Sequence, residues 1–108
     1  PRGEYTTGFS AGRRAVMAGS PVCHCCQARP AVAADHIIPV VRFAVAMDAG
    51  ILPRSMIPAL NSAENLAPIC VPCNNAKSDR VMGSGPDEFM PSNPHPSLVA
   101  KMTALGVR

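Results

Sequence analysis

The chain has 108 residues, a formal charge of +3, no tryptophan and a single tyrosine. That length fits one small domain spanning 1–108 and leaves no room for a second, and so few large side chains build a thin core for which an added cross-link is physically useful. No stretch is long and apolar enough to span a bilayer and no signal peptide is visible, so no membrane partner is expected. The mild basicity suits a polyanionic partner without identifying one.

Residues 1–8, with a proline, two glycines and two threonines, read as an extended lead-in. Ser10 is placed to cap a helix through about Ala18, with Gly19 as its stop, which sets Arg13 and Arg14 side by side just before the first cysteine pair. Ala31 to Ile38 reads as a first strand ending at Asp35-His36. Val40 to Ala49, alanine-rich and almost uncharged, predicts a helix stopped by Gly50. Pro53 and Pro58 keep the next stretch irregular, and Asn61 to Glu64 reads as a polar turn before a returning strand, Asn65 to Ile69. A helix is expected from about Asn74 to Met82. Residues 83–96 should form a loop in which His95 is solvated, and Ser97 is placed to cap a last helix with Leu98, Met102 and Leu105 on its buried face and Gly106 at its end.

Five cysteines cannot all be paired, which argues against a complete disulfide framework. The pairs Cys23/Cys26 and Cys70/Cys73 have the spacing of a closed tetrahedral zinc site, which takes four sulfur ligands and keeps no open position. The spare thiol is Cys25 or Cys26; Cys23 with Cys26 is preferred because two intervening residues match the second pair. His24 is expected to be an exposed neighbour, not a ligand.

Between and after the pairs stands a harder donor set. Asp35 and Asn74 offer oxygens of the kind a magnesium-like ion prefers, and such an ion keeps waters and leaves room for a phosphate oxygen. Strand alternation points Asp35 and His36 to opposite faces, giving them distinct tasks. An imidazole can take a proton from water near neutral pH. Asn74 at a helix start would add free backbone N–H groups near the same anion. These are the parts that phosphodiester hydrolysis needs: a base for the nucleophile and a cation for the phosphoryl charge.

Taken in order, Cys23-x-x-Cys26, Asp35-His36-Ile37-Ile38-Pro39, Glu64-Asn65-Leu66 and Cys70-x-x-Cys73-Asn74-x-x-Lys77 resemble the signature of the HNH endonucleases over about residues 10–82. The resemblance implies an α+β fold, a small ββα-metal, treble-clef-like domain with flanking helices and a structural zinc. It implies DNA as partner, with RNA also open, and hydrolysis leaving a 5′-phosphate and a 3′-hydroxyl. His36 then corresponds to the general base, and Asp35 and Asn74 to ligands of one catalytic divalent ion such as magnesium. Asn65 corresponds to the residue that holds the loop and helps orient the histidine. Lys77 matches a basic residue that touches phosphate, and Arg80, Arg13 and Arg14 are further candidate nucleic-acid contacts. Asn74 departs from the histidine usual at that position, as in an H-N-N variant. The apolar insert between Pro39 and Glu64 is longer than usual and is a candidate docking surface for a partner or for the rest of a longer chain.

A first residue of proline is read as a domain cut from a longer chain or a processed product. The corresponding expectation is the nuclease module of a toxin, phage or restriction protein. It would act in the cytoplasm or as a secreted effector with a cognate inhibitor. The competing reading is a zinc-knuckle module that binds nucleic acid or protein and cuts nothing.

Overall fold

The structure, a computed structural model, describes residues 5–107; the first four residues of the expected lead-in lie outside it. Among the described residues the fold is α+β, built on one antiparallel pair of strands, β1 (Ala33–His36) and β2 (Leu66–Ile69). Ala33 faces Ile69 and His36 faces Leu66. Pairing runs on past the strand ends, where Ile37 N donates to Asn65 O at 2.8 Å. In that register the hydrogen-bonded pairs recur at Asp35/Ala67 and Ala33/Ile69, so Pro68, opposite Ala34, falls at a non-hydrogen-bonded position. Its missing N–H therefore costs the ladder nothing, and its carbonyl, turned away from β1, accepts from His24 N at 2.9 Å.

The helices show where local chemistry overrides simple expectation. Helix α1 (Phe9–Met17) starts earlier than expected because Gly8, at φ 85°, turns the chain in. Ser10 is consequently inside the first turn and caps nothing. Helix α2 (Val40–Asp48) matches the expected apolar segment. It closes through Gly50, with Gly50 N on Met47 O at 3.0 Å and Ile51 N on Ala46 O at 2.8 Å. The proline-bearing stretch after it is not irregular throughout. Pro58 sits in the first turn of a short helix, α3 (Ile57–Leu60), where its lack of an N–H is harmless.

Helix α4 (Val71–Lys77) corrects two expectations together. It begins inside the second cysteine pair, because Pro72 is accepted in its first turn. It ends at Lys77 rather than near Met82, because Ser78 takes a φ of 52°. Asn74 is thus mid-helix, its N–H already donated to Cys70 O at 2.9 Å, and offers no free backbone donor to an anion. Helix α5 (Pro96–Ala104) is capped by His95, whose Nδ1 accepts from Ser97 N at 3.0 Å. The cap is therefore not Ser97, and His95 is not a solvated loop residue. It stacks on His24 with ring centroids 4.1 Å apart. No helix among the described residues is long and apolar enough to cross a membrane.

Two apolar clusters sit around this frame. One joins Ile37, Ala67, Ile69, Met82, Leu98 and Met102 to the buried cysteines, with Leu105 packed on it as the expected stripe of α5 requires. The other is built by the insert: Met47, Ile57 and Leu60 close over Tyr5, with Val40, Phe43 and Leu52 at its edge. Part of the insert's apolar surface is thereby spent inside the protein, while Val45 and Ile51 stay exposed.

Helix α1 approaches the frame at Gly12, where a Cβ would strike Asn61 O and come within 2.8 Å of Leu66 Cδ1. Both are fixed, one as backbone and one as a buried side chain. Gly12→Ala should cost about 1–3 kcal/mol, read as a lowered midpoint of urea unfolding. An unchanged midpoint would show that α1 does not pack there.

Candidate functional site

Cys23, Cys26, Cys70 and Cys73 converge, their sulfurs all within 4.8 Å of one another. Four sulfurs about 2.3 Å from a tetrahedral centre stand about 3.8 Å apart, and Cys26 Sγ to Cys70 Sγ is 3.9 Å. The cluster can therefore hold a structural metal such as zinc. Backbone geometry sets it up: Cys23 N donates to Arg29 O at 2.7 Å, and Gln27 N donates to Cys23 O at 2.9 Å. Gln27 takes a φ of 56° to fold the chain back. Cys70 and Cys73 are presented by the N-cap and first turn of α4.

The choice between neighbouring cysteines is settled by position. Cys25 lies outside the cluster, fully buried, with its N–H on Cys23 Sγ at 3.3 Å. Burial pushes its thiol up to about 12, so it is the inert member. Cys26 is lowered to about 7, first by the backbone N–H of Ala28 and further by the neighbouring thiols. Cys73 moves the other way, held protonated by burial and by its sulfur neighbours. A second thiolate beside the first is unfavourable until a cation joins them, so metal uptake must release protons and strengthen as pH rises.

His24 is half-buried between this knuckle and α5, not an exposed neighbour. Burial lowers it to about 4, with His95 and Lys101 adding to the effect, so the stacked ring is neutral. Residues 93–95 complete that side: Asn93 N donates to Cys25 O at 2.9 Å and His95 N to His24 O at 2.8 Å.

The second set of residues gathers at the end of β1. Asp35 and His36 make different contacts, as strand alternation demands, yet both line a cavity of about 130 Å³ with Pro39, Lys77, Ser78 and Asp79. Asp35 Oδ2 lies 2.9 Å from Lys77 Nζ. The approach is off the direction of a hydrogen bond, and this buried carboxylate oxygen has no hydrogen-bond partner. Lys77 itself is only 1% exposed. In this arrangement it neutralises Asp35 and does not reach solvent, contrary to the expectation of a phosphate contact.

Asn74 is half-buried one turn before Lys77 on α4 and is not on the cavity wall. Asn65 grips the backbone just beyond His36: its Oδ1 accepts from Ile38 N at 2.9 Å, and its Nδ2 donates to Ile38 O at 3.1 Å and Leu60 O at 2.9 Å. Arg80 is turned back on the end of α4, donating to Lys77 O and Ala76 O, with its guanidinium over the Phe89 ring. Arg13 and Arg14 are exposed on α1.

Two contacts of His36 were not legible in the sequence. Its Nε2 is 2.8 Å from Asn61 Oδ1, and its ring stacks on Phe9 with centroids 5.4 Å apart. Asn61, expected in an open polar turn, is 1% exposed. No pattern of residue types announces it, because it meets His36 only through tertiary folding.

Comparison with protein-family models, with curated proteins and with solved structures found no match.

Zinc assay should find one ion per chain in the wild type. Cys70→Ser should lose that ion and the cooperative fold with it, since structural zinc of this kind contributes on the order of 10 kcal/mol to folding. Cys25→Ser should keep both. Zinc lost from Cys25→Ser and retained by Cys26→Ser would reverse the ligand assignment.

Proposed function

We propose that this protein is a metal-dependent endonuclease of the HNH type, cleaving DNA phosphodiester bonds. The observation that carries the reading is the shared cavity at the end of β1, lined by the His36 imidazole and the Asp35 carboxylate, in a chain that also gathers four cysteine sulfurs. His36 is the general base: it takes a proton from the water whose oxygen attacks phosphorus. The departing 3′ oxygen gains a proton, leaving a 3′-hydroxyl and a 5′-phosphate. Asp35 would hold the divalent ion, with Asn74 as the second protein ligand implied by the sequence resemblance. Asp35, Asp79 and Ser78 bring to the cavity wall oxygens of the kind a hard cation takes, and such a cation would share the Asp35 carboxylate with Lys77. The chemistry such an ion supplies is neutralisation of charge on the phosphoryl oxygens. Lys77 balances the charge of Asp35. Exposed arginines, Arg13 and Arg14 among them, would meet backbone phosphate, so binding should weaken as salt rises.

A second reading has its own support. The Lys77–Asp35 pair already neutralises the carboxylate, and Asn74 is away from the cavity wall, as a zinc-stabilised module that binds without cutting would allow. Supercoiled plasmid with and without magnesium separates the two. The wild type should nick the DNA only with the divalent ion, and His36→Ala should lose at least about 100-fold in rate while it keeps its zinc and still unfolds cooperatively. Cutting by His36→Ala at the wild-type rate would remove the base assignment; a wild type that binds DNA and never nicks it would favour the binding module.

A further inference from the structure

We infer that Asn61 is a positioning residue that fixes the tautomer of His36, keeping a proton on Nε2 and leaving Nδ1 as the nitrogen that accepts one. The assignment of Nδ1 as the working nitrogen rests on the nuclease reading above; the tautomer itself does not.

The argument begins with the donors of Asn61. Its side-chain nitrogen lies 2.7 Å from Tyr5 O and 2.9 Å from Thr7 O. Both partners are carbonyl oxygens, which only accept, so the atom facing them must be the NH₂ group. Reversing the amide would set its oxygen against two carbonyls in a site that is 1% exposed, where the repulsion is poorly screened. The carboxamide orientation is thus dictated by the chain that precedes α1. Its oxygen is then committed to the ring of His36 at 2.8 Å. An amide oxygen has no proton to give, so His36 Nε2 must donate. In a neutral imidazole the other nitrogen, Nδ1, is left with its lone pair.

The rest of the neighbourhood holds the ring in that pose. Phe9 stacks on it at 24° between ring planes. Asn65 clamps the Ile38 backbone two residues later, fixing the strand end that carries it. His36 lines two cavities: an apolar one shared with Tyr5, Phe9 and Asn61, and the polar one shared with Asp35 and Lys77. The partner of Nε2 belongs to the wall of the first, which leaves the unprotonated nitrogen for chemistry at the second. Orientation of a histidine by a hydrogen bond to its other nitrogen is a general device for preparing a base.

The test uses ring ¹⁵N chemical shifts of the zinc-loaded protein, with no DNA present. In the wild type at neutral pH, His36 Nε2 should resonate as a protonated nitrogen and Nδ1 as an unprotonated one. An Nδ1–H tautomer, or an even mixture, would overturn the inference whatever the protein does to DNA. Asn61→Ala should let the two tautomers mix and lower the cleavage rate about tenfold or more with KM little changed. Unmixed tautomers in a folded Asn61→Ala protein would likewise refute the role. Should the wild type show the Nε2–H tautomer and never cut DNA, the nuclease reading falls and the tautomer assignment stands.

Discussion

Convergence of four sulfurs from opposite ends of a long excursion is the constraint on which the remaining structure depends. Cys26 and Cys70 are 44 positions apart, and Asp35, His36, Asn61 and Lys77 lie in or just after the segment they enclose. Bringing such ends together in a chain with a thin core costs about 3 kcal/mol in closure entropy alone. A metal bound by the thiolates would supply that closure directly, where β2 passes into α4. His24 N on Pro68 O and Val32 N on Ile69 O then tie the first knuckle to the strand beside it. The pairing of β1 with β2 follows, and with it the position of the strand end that carries Asp35 and His36.

The enclosed segment would be a liability if it were loose. Instead it folds into α2 and α3 and buries Met47, Ile57 and Leu60 against Tyr5. This second cluster is what delivers Asn61 to His36, because Asn61 follows α3 directly and is pinned by the carbonyls of Tyr5 and Thr7. Packing of the insert thereby fixes a side chain against the ring of His36. The two clusters have separate work: one encloses the cysteines and α5, the other holds the imidazole.

Much of this was legible from residue types and much was not. The cysteine set, both strands, α2 with its Gly50 stop and the buried stripe of α5 all follow from local rules of spacing and periodicity. Helix ends were read less well, because the deciding residues act through backbone conformations that spacing does not display. Gly8 starts α1, Ser78 stops α4 at a left-handed angle, and an imidazole rather than a hydroxyl caps α5. The candidate site was legible in its membership at Asp35 and His36 and illegible in its wiring. Lys77 looked like a solvent-facing cation and is a buried counter-charge; Asn61 looked like a turn residue and is the ring's hydrogen-bond partner. Both corrections arise from contacts between distant segments, which no window along the chain contains.

The ion pair between β1 and α4 has a consequence for how this sequence can change over time. Lys77 is almost wholly enclosed, and the Asp35 side chain keeps 19% exposure. Replacing either partner alone strands a lone charge in a poorly solvated place, a change that costs far more than the pair contributes. Drift at the third residue of β1 is consequently tied to drift at the last residue of α4, and only a paired exchange preserves neutrality. Lineages descending from this chain should keep both groups or shed both at once, so the two positions are inherited as a single unit.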